Sequence, residues 1–225
     1  MLKRKFSSFR EVFFFLSRPY LWLRSPIRLA ELNRNPFEQF RLWFEHAQRS
    51  LWMEFPHATC LSTVDQAGYP DGRMVLLKGF DESGFVFYTN AESTKGRSLQ
   101  VLPKAALTFY WGAMQRQVRI QGQTVQVSAE EADQYFDTRP RGSQIGAWAS
   151  SQSAALNNRA ELEEQFEKIR LKFKGAHVPR PANWVGYRVM PEAFEFWQLR
   201  LSRLHDRFRY EKSSAGVWEV KRLAP

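Results

Sequence analysis

The chain has 225 residues, of which 44% are hydrophobic and 25% are charged, a balance typical of a soluble globular domain with a real core. The formal net charge is +10, but residues 1–28 carry seven of the 33 Lys and Arg residues against one acidic residue, so much of the excess belongs to the N-terminus. The single cysteine, Cys60, excludes an intrachain disulfide and fits a reducing, cytoplasmic location.

Residues 1–34 are predicted to form an atypical basic and aromatic arm, followed by one domain over residues 35–225. The apolar run Val12–Leu16 ends at an Arg-Pro pair and is far shorter than the ~20 residues that cross a bilayer. Glu11 and the lack of a small-residue cleavage site argue against a secretory signal. We therefore expect no membrane span. The basic charge leaves open a nucleic-acid or membrane-surface arm, although a solvated arm is the simpler interpretation.

Three helices are indicated by their caps and by apolar residues at helical spacing. Asn35 is a good N-cap, and Pro36 suits the first helical position. The Ser-Ala-Glu-Glu run at 128–131 is a capping box. A third helix has its apolar face over residues 162–173 and is expected to stop at Gly175.

The rest of the chain is rich in short runs with the period of strands. The apolar parity of one run changes across Gly122, which predicts a bulge. Such a succession of short strands is typical of a closed or nearly closed antiparallel barrel, so we expect a mostly β fold with flanking helices and no second domain. The predicted strands are Thr59–Val64, Arg73–Phe80, Phe85–Thr89, Ala105–Trp111, Arg116–Val127, Val185–Met190, Ala193–Gln198, His205–Glu211 and Val217–Leu223.

A group of basic residues near the C-terminus is the first candidate for chemistry. If the segment around it is extended, Arg203, His205 and Arg207 share one face, because side chains alternate along a strand. Two guanidiniums beside an imidazole form an anion-binding surface with one group that titrates near neutral pH. The alternative is a solvated edge strand.

Two C-terminal blocks resemble the signature of the pyridoxine (pyridoxamine) 5′-phosphate oxidase family. They are Glu195–Gln198, which reads EFWQ, and Arg203–Arg207, which reads RLHDR. The final RLAP at 222–225 also resembles the end of many family members. The most specific internal match is YFDTRPRGSQIGAW at Tyr135–Trp148, within which Ser143, on the residues alone, is interpreted as the cap of a following helix.

Two further blocks extend the resemblance over roughly residues 35–225. RMVLLK at Arg73–Lys78 and YTN at Tyr88–Asn90 resemble the flavin-binding strands of the family. The resemblance implies an FMN-binding split β-barrel that forms a homodimer, with FMN at the dimer interface. It also implies oxidation of pyridoxine or pyridoxamine 5′-phosphate to pyridoxal 5′-phosphate, with O2 as acceptor and release of H2O2.

The resemblance assigns roles residue by residue, and no metal site is expected. Arg203 and His205 are the implied catalytic residues. The implied substrate contacts are Lys78, Tyr135, Arg139, Ser143, Arg203, Leu204 and His205. The implied FMN contacts are Arg73, Met74, Val75, Leu76, Leu77, Lys78, Tyr88, Thr89, Thr94, Lys95, Gln117, Gln152, Ser153, Trp197 and Arg207.

The chain departs from the family pattern in three places. Thr94 stands where the family usually has an Arg beside the phosphate-binding Lys, which predicts weaker flavin affinity. LRLS at 199–202 replaces a segment that is usually polar and contains glycine, and the Arg-x-x-Tyr substrate lid of the family is not found near the N-terminus. Two alternatives stay open: a related flavin oxidase for another ring, such as a phenazine precursor, and a non-catalytic protein that holds FMN or pyridoxal phosphate.

Overall fold

A computed structural model describes residues 26–225, so the predictions for the first 25 residues of the arm lie outside the described residues. The described chain forms two compact units. Unit 1 comprises the chain up to Pro56 together with Tyr110–Val118 and Phe194–Pro225, and unit 2 comprises His57–Phe109 and Arg119–Ala193. Within the described residues, no helix is both long and apolar enough to cross a membrane.

Five α-helices and three short 3-10 turns flank the strands of the described chain. The helices are α1 (Pro36–Gln48), α2 (Thr94–Val101), α3 (Ala129–Asp137), α4 (Arg141–Ala149) and α5 (Arg159–Lys172). The 3-10 turns are Leu29–Glu31, Gly112–Met114 and Leu201–Arg203.

The described residues form nine strands. They are β1 (Ala58–Val64), β2 (Pro70–Leu76), β3 (Gly79–Asp81), β4 (Gly84–Asn90), β5 (Lys104–Trp111), β6 (Arg116–Gln126), β7 (Trp184–Gln198), β8 (Asp206–Lys212) and β9 (Trp218–Arg222). Strands β5, β6 and β7 contribute residues to both units. The predicted mostly β fold with flanking helices is confirmed.

In unit 2 the strands follow the order β2-β1-β5-β6-β7-β4-β3. Strand β1 pairs antiparallel with β2 and β5, and β4 pairs antiparallel with β3 and β7. A buried hydrophobic cluster packs α3, α4 and the end of α5 against the start of β7, through Phe136, Ile145, Phe173 and Trp184. These helices therefore pack against the start of β7, and the cavity described below lies beside them.

Unit 1 packs helix α1 on aromatic side chains of β7. Phe37 meets Phe194 edge to face at 5.2 Å between ring centroids, and Trp43 meets Phe196 in the same way at 5.2 Å. Strand β8 pairs with β7 and with β9. Part of the predicted arm is ordered here, since the Tyr210 hydroxyl donates to the Asn33 carbonyl at 2.8 Å.

The three predicted helices are confirmed, and so are the N-caps of the first two. Asn35 accepts from the Phe37 N–H at 2.9 Å, and Ser128 accepts from the Glu131 N–H at 3.1 Å. Helix α5 ends before Gly175, which has φ +72°, a left-handed value that glycine adopts at little cost. Helix α2 was not predicted, because eight residues give too little apolar periodicity to detect. Helix α4 was expected only as a helix capped by Ser143, and it begins two residues before Ser143, at Arg141.

Three strand predictions need correction. The single strand expected over 73–80 is two strands, β2 and β3, while the two expected over 185–198 are one strand, β7. The bulge at Gly122 is wrong, because buried residues alternate without a break from Val118 to Thr124 and Val125 is exposed. The glycine has another cause: a Cβ there would lie 1.9 Å from the Met190 carbonyl oxygen of β7.

Candidate active site

Unit 2 contains a cavity of about 630 Å³ beside β2, β4, the start of β7 and the N-termini of α2 and α4. More than half of the site residues predicted from the sequence line it. They are Met74, Val75, Leu76, Lys78, Tyr88, Thr89, Lys95, Tyr135, Arg139, Ser143 and Gln152. Residues 60 or more positions apart in the chain thus meet at one cavity.

Arg139 is the first cation of this cavity, and it packs against two aromatic rings. Its guanidinium carbon lies 4.8 Å from the ring centroid of Trp184 and 5.4 Å from that of Phe136. Its Nη1 atom is buried and has no hydrogen-bond partner among residues 26–225. Burial also lowers the pKa of Arg139. A buried, unpaired N–H donor is costly, so this arrangement fits a site completed by an anionic ligand.

Lys78 and Ser143 add further donors to the same cavity wall. The Lys78 Nζ lies 5.7 Å from the ring centroid of Tyr135 and makes no ion pair with any described residue. Ser143 lies in the first turn of α4, but it is not the N-cap expected from the residues alone, because Pro140 occupies that position and has no capping side chain. The hydroxyl of Ser143 and the first N–H groups of α4 can therefore serve an anion.

The corner between α3 and α4 fixes these donors. The Phe136 carbonyl accepts from the Arg139 N–H at 3.1 Å and from the Gln144 side-chain amide at 3.1 Å. Gln144 is buried, so its amide locks α4 onto the end of α3. Because of this corner, Tyr135, Arg139 and Ser143 form a rigid cluster.

Three aromatic rings form a flat wall of the cavity. Tyr88 stacks on Tyr135 with centroids 4.2 Å apart and an interplanar angle of 10°, and on Trp184 at 4.9 Å and 4°. Burial, followed by the charge of Glu131, raises the pKa of Tyr88 to about 12. The Tyr88 hydroxyl therefore stays protonated at neutral pH and can donate a hydrogen bond.

A second cation lies at the N-terminus of α2. Lys95 is buried, and its Nζ donates to the Ser93 hydroxyl at 3.3 Å. Burial, and then the positive charge of Arg73, lowers the pKa of Lys95. No carboxylate of the described residues lies within ion-pair distance of Lys95. This position too fits an anionic group of a ligand.

The loop after α4 folds over this second cation. The Gln152 side-chain oxygen accepts from the Thr89 hydroxyl at 3.1 Å and from the Asn90 N–H at 3.3 Å. Ser153, with φ +72°, accepts from the Thr94 N–H at 3.4 Å. Amide and hydroxyl groups from three separate segments therefore surround the α2 end of the cavity.

Four predicted flavin contacts in unit 2 do not line the cavity. The Arg73 guanidinium pairs with Asp71 and donates to the Thr63 hydroxyl at 2.8 Å. Leu77 is 6% exposed and belongs to the core. Thr94 and Ser153 also lie just outside the lining and reach it only through their neighbours.

The remaining predicted residues lie in unit 1, and the expected strand face is wrong. Arg203 ends the 3-10 turn Leu201–Arg203, so it precedes β8 and does not alternate with Arg207. Both Arg203 and Leu204 are exposed. The His205 ring lies against Trp197 with centroids 4.8 Å apart. The Arg207 guanidinium pairs with the buried Glu195 at 2.9 Å, and Gln117 is half-buried in β6.

Sequence reasoning missed several lining residues. Trp184 is the most important, because it supports both Tyr88 and Arg139. Its position directly before a predicted strand was the only signal. Thr138, Pro140, Gly146, Ala147 and Ser150 also line the cavity, as does Asn90, which belongs to the YTN block that resembles a flavin-binding strand.

Taken from the residues upward, the cavity offers two separate cationic positions and a flat aromatic wall between polar loops. It can hold anionic groups near Arg139 and near Lys95, and a planar ring system in the space beside the stacked aromatic rings.

Comparison with known families gives two matches that together span most of the described chain. Residues 45–173 match the model of pyridoxamine 5′-phosphate oxidase. Residues 184–225 match the pyridoxine 5′-phosphate oxidase C-terminal dimerisation region.

Curated relatives agree with these matches. The pyridoxine/pyridoxamine 5′-phosphate oxidase of Paraburkholderia phytofirmans is 51% identical over 198 residues, covering 88% of this chain and 92% of the relative. The enzyme of the same name from Burkholderia thailandensis is 51% identical over 204 residues, covering 90% and 94%.

Solved structures show the same fold. PhzG from Burkholderia lata, in complex with tetrahydrophenazine-1-carboxylic acid, has a TM-score of 0.79 and 30% identity over 86% of this chain and 94% of that one. A pyridoxamine 5′-phosphate oxidase-related, FMN-binding protein from Nostoc punctiforme, 18% identical, has a TM-score of 0.67 over 86% and 100%, and supports the split-barrel fold alone. On these matches, the chain belongs to the pyridoxamine 5′-phosphate oxidase family.

Proposed function

We propose that the chain is an FMN-dependent oxidase that converts pyridoxine or pyridoxamine 5′-phosphate to pyridoxal 5′-phosphate, with O2 as acceptor and H2O2 as product. The observation that carries the proposal is the buried, unpartnered Nη1 of Arg139 in a cavity that also holds Lys78 and Ser143. One guanidinium, one ammonium, two hydroxyls and a helix N-terminus suit the oxygens of a phosphate ester. The second hydroxyl is that of Tyr135.

FMN fits the other part of the cavity. Lys95 supplies a buried cation for the flavin phosphate, and Thr89 and Gln152 supply polar edges near it. The bound flavin supplies the hydride chemistry, and the protein supplies binding and orientation. We propose a homodimer with FMN at the interface, in which Gln117, Trp197 and Arg207 also contact the flavin. Family membership and the match to a dimerisation region support this part.

Arg203 and His205 are the proposed catalytic residues. Their role is to hold the substrate on the side opposite the flavin and to place the carbon that loses hydride. The His205 Nδ1 accepts from the Arg200 N–H at 3.1 Å, so the neutral ring carries its proton on Nε2, which is then the donor. The single free cysteine supports a reducing, cytoplasmic setting for the enzyme.

The test begins with the visible spectrum of the purified protein, which should show flavin bands. Peroxide release is then measured on pyridoxine 5′-phosphate, pyridoxamine 5′-phosphate and unphosphorylated pyridoxine. Arg139→Met should lower kcat/KM for the phosphate esters by roughly 10- to 100-fold, because charge-assisted hydrogen bonds to the phosphate are lost. The rate on unphosphorylated pyridoxine should change little.

Lys172→Met is the matched control. Lys172 also lies over an aromatic ring, with its Nζ 4.9 Å from the centroid of Trp148, but it is exposed and does not line the cavity. It should leave all three rates unchanged. A protein that stays free of flavin after incubation with FMN would refute the proposal. A flavoprotein that releases no peroxide with either phosphate ester would also refute it and would favour a non-catalytic FMN-binding protein.

A second candidate is oxidation of a phenazine-type ring. It is favoured by the structural likeness to PhzG at a TM-score of 0.79. Two cations, Arg139 and Lys78, and the hydroxyls of Tyr135 and Ser143 line the cavity together. This donor set suits the three oxygens and double charge of a phosphate ester better than the single carboxylate of a phenazine precursor. Faster peroxide release with a dihydrophenazine carboxylate than with the phosphate esters would decide for this candidate.

A further inference from the structure

The turn between β7 and β8 has a strained backbone. Ser202 and Arg203 have φ values of +55° and +64°, and neither is a glycine. Left-handed conformations are unfavourable for non-glycine residues, so they persist where surrounding contacts hold them. Since Arg203 is itself in the turn and His205 follows it, whatever holds this turn also places both residues.

Arg200 contacts the far side of this turn in two ways. Its backbone N–H donates to the His205 Nδ1 at 3.1 Å, and its side-chain Nε pairs with the Asp206 carboxylate at 3.3 Å. The two side chains of the ion pair are only 15% and 5% exposed. A pair so shielded from water is stronger than a surface salt bridge and is costly to break on one side.

Asp206 is a fixed anchor for this contact. Its carboxylate also accepts from Arg222 Nη1 at 2.9 Å and from the Ile27 N–H at 3.1 Å. Asp206 is the first residue of β8 and is 3% exposed. The carboxylate is therefore held by β9 and by the segment before α1 as well, and it stays in place when the Arg200 side chain is removed.

We propose that Arg200 is a positioning residue: its ion pair with Asp206 holds the 201–203 turn, and thereby keeps His205 as the Nε2–H tautomer and sets the place of Arg203. The Leu204 N–H closes the turn by donating to the Leu201 carbonyl at 3.1 Å, and the ion pair of Arg200 adds a constraint between the turn and β8. The link to catalysis rests on the proposed function, whereas the link to the His205 tautomer does not.

The experiment compares Arg200→Ala, Arg200→Lys and Arg222→Ala with the wild type. The first readout is the ¹⁵N chemical shifts of histidine-labelled protein, which report the protonation of Nδ1 and Nε2; the chain has four histidines, and His205→Gln assigns the relevant pair. The second readout is kcat and KM on pyridoxine 5′-phosphate, with FMN content measured in parallel.

Arg200→Ala should give His205 a mixture of tautomers and lower kcat by roughly tenfold or more, with FMN content unchanged, because a shift of about 1 Å in a placed group costs up to 100-fold. Arg200→Lys should keep part of the wild-type tautomer preference of His205 and part of the wild-type kcat. Arg222→Ala removes the other cation from the same carboxylate but leaves the turn anchored, so His205 should keep its single tautomer.

Two results would overturn the proposal. One is a single Nε2–H tautomer in Arg200→Ala. The other is a tautomer mixture in Arg222→Ala as large as in Arg200→Ala, which would make the effect a general loosening around Asp206. If the tautomer shifts while kcat stays at the wild-type value, the catalytic part is refuted. If the wild type oxidises neither phosphate ester but Arg200→Ala still changes the His205 tautomer, the proposed function fails and the positioning role stands.

Discussion

At the scale of single residues, the cavity of unit 2 is lined by cations, Lys78, Lys95 and Arg139, that form no ion pair with a carboxylate of residues 26–225. Lys95 is 8% exposed and donates only to the Ser93 hydroxyl among the described residues. A buried charge without a counter-ion destabilises the folded state. Such a residue is retained at a cost in stability, which is expected where an anionic ligand completes the site.

Lys95→Met should therefore stabilise the apo protein and at the same time weaken FMN binding. Methionine has nearly the same length and no charge, so the apo protein should melt at a higher temperature than the wild type. FMN affinity should fall by roughly 10- to 100-fold, as expected for lost charge-assisted hydrogen bonds to a phosphate. Thermal melts of the apo proteins and flavin fluorescence titration measure the two quantities.

The pH dependence of apo stability gives an independent check on Lys95. Its pKa is lowered from the ordinary value of 10.5, so the unfolded chain keeps the proton to higher pH than the folded protein does. Stability should rise with pH in the interval between the lowered pKa and 10.5, and Lys95→Met should flatten that rise.

Arg97→Met serves as the control, because Arg97 is an exposed cation of the same helix that does not line the cavity. It should leave FMN affinity and the pH profile unchanged. A Lys95→Met protein that binds FMN as tightly as the wild type would remove Lys95 from the proposed flavin site.

At the scale of elements, the approach of β6 to β7 in unit 2 depends on one glycine. A Cβ at Gly122 of β6 would lie 1.9 Å from the Met190 oxygen and 2.7 Å from its carbonyl carbon, both backbone atoms of β7. Backbone atoms cannot rotate out of the way as the end of a side chain can. Alanine at this position must push the two strands apart.

Gly122→Ala should accordingly destabilise the protein by roughly 1–3 kcal/mol, the range for overpacked interiors. Urea unfolding of the two proteins measures this difference. Gly79→Ala is the matched control: Gly79 is also in a strand, has no positive φ, and a Cβ added to it would meet no atom within 4 Å, so its substitution should be close to neutral. Equal stability of Gly122→Ala and the wild type would mean that β6 and β7 do not approach as closely as described.

The same scale shows what could be predicted from the sequence and what could not. Helix starts at Asn35 and Ser128 were predictable, because a capping side chain and the N–H that it serves are two or three residues apart. The fold class followed from strand periodicity, and the cavity residues followed from the resemblance to a family. All of these signals are local or shared with relatives.

The 201–203 turn was not predictable in this way. The prediction that Arg203, His205 and Arg207 share one strand face required an extended backbone through Arg203. Ser202 and Arg203 instead have left-handed backbone conformations, although neither is a glycine. The conformation depends on Arg200 meeting Asp206 at 3.3 Å, a contact between side chains that no periodicity encodes. The role of Trp184 likewise depends on the stacking of rings from three elements.

At the scale of the whole molecule, the predicted site residues fall into two sets. Arg139 belongs to unit 2, and Arg203 and His205 belong to unit 1, within the segment that matches a dimerisation region. In a two-fold symmetric dimer, each site can take the second set from its own chain or from the partner. The proposed homodimer, with FMN at its interface, predicts that each site takes the second set from the partner subunit.

Mixing two inactive variants tests this arrangement. Arg139→Ala should lose the substrate phosphate, and Arg203→Ala should keep FMN but turn over slowly. When the two are unfolded together and refolded at equal concentration, about half of the dimers are mixed. If each site combines Arg139 of one chain with Arg203 of the other, one of the two sites in every mixed dimer is intact, and activity should recover to about a quarter of the wild-type value.

The same mixture excludes the opposite arrangement. If Arg139 and Arg203 act within one chain, every site in a mixed dimer carries one defect, and the mixture should be no more active than the two variants measured apart. Refolding each variant alone controls for gains from refolding itself. Recovery in the mixture without recovery in either control therefore requires that the exposed Arg203 of one subunit completes the cavity that holds Arg139 in its partner.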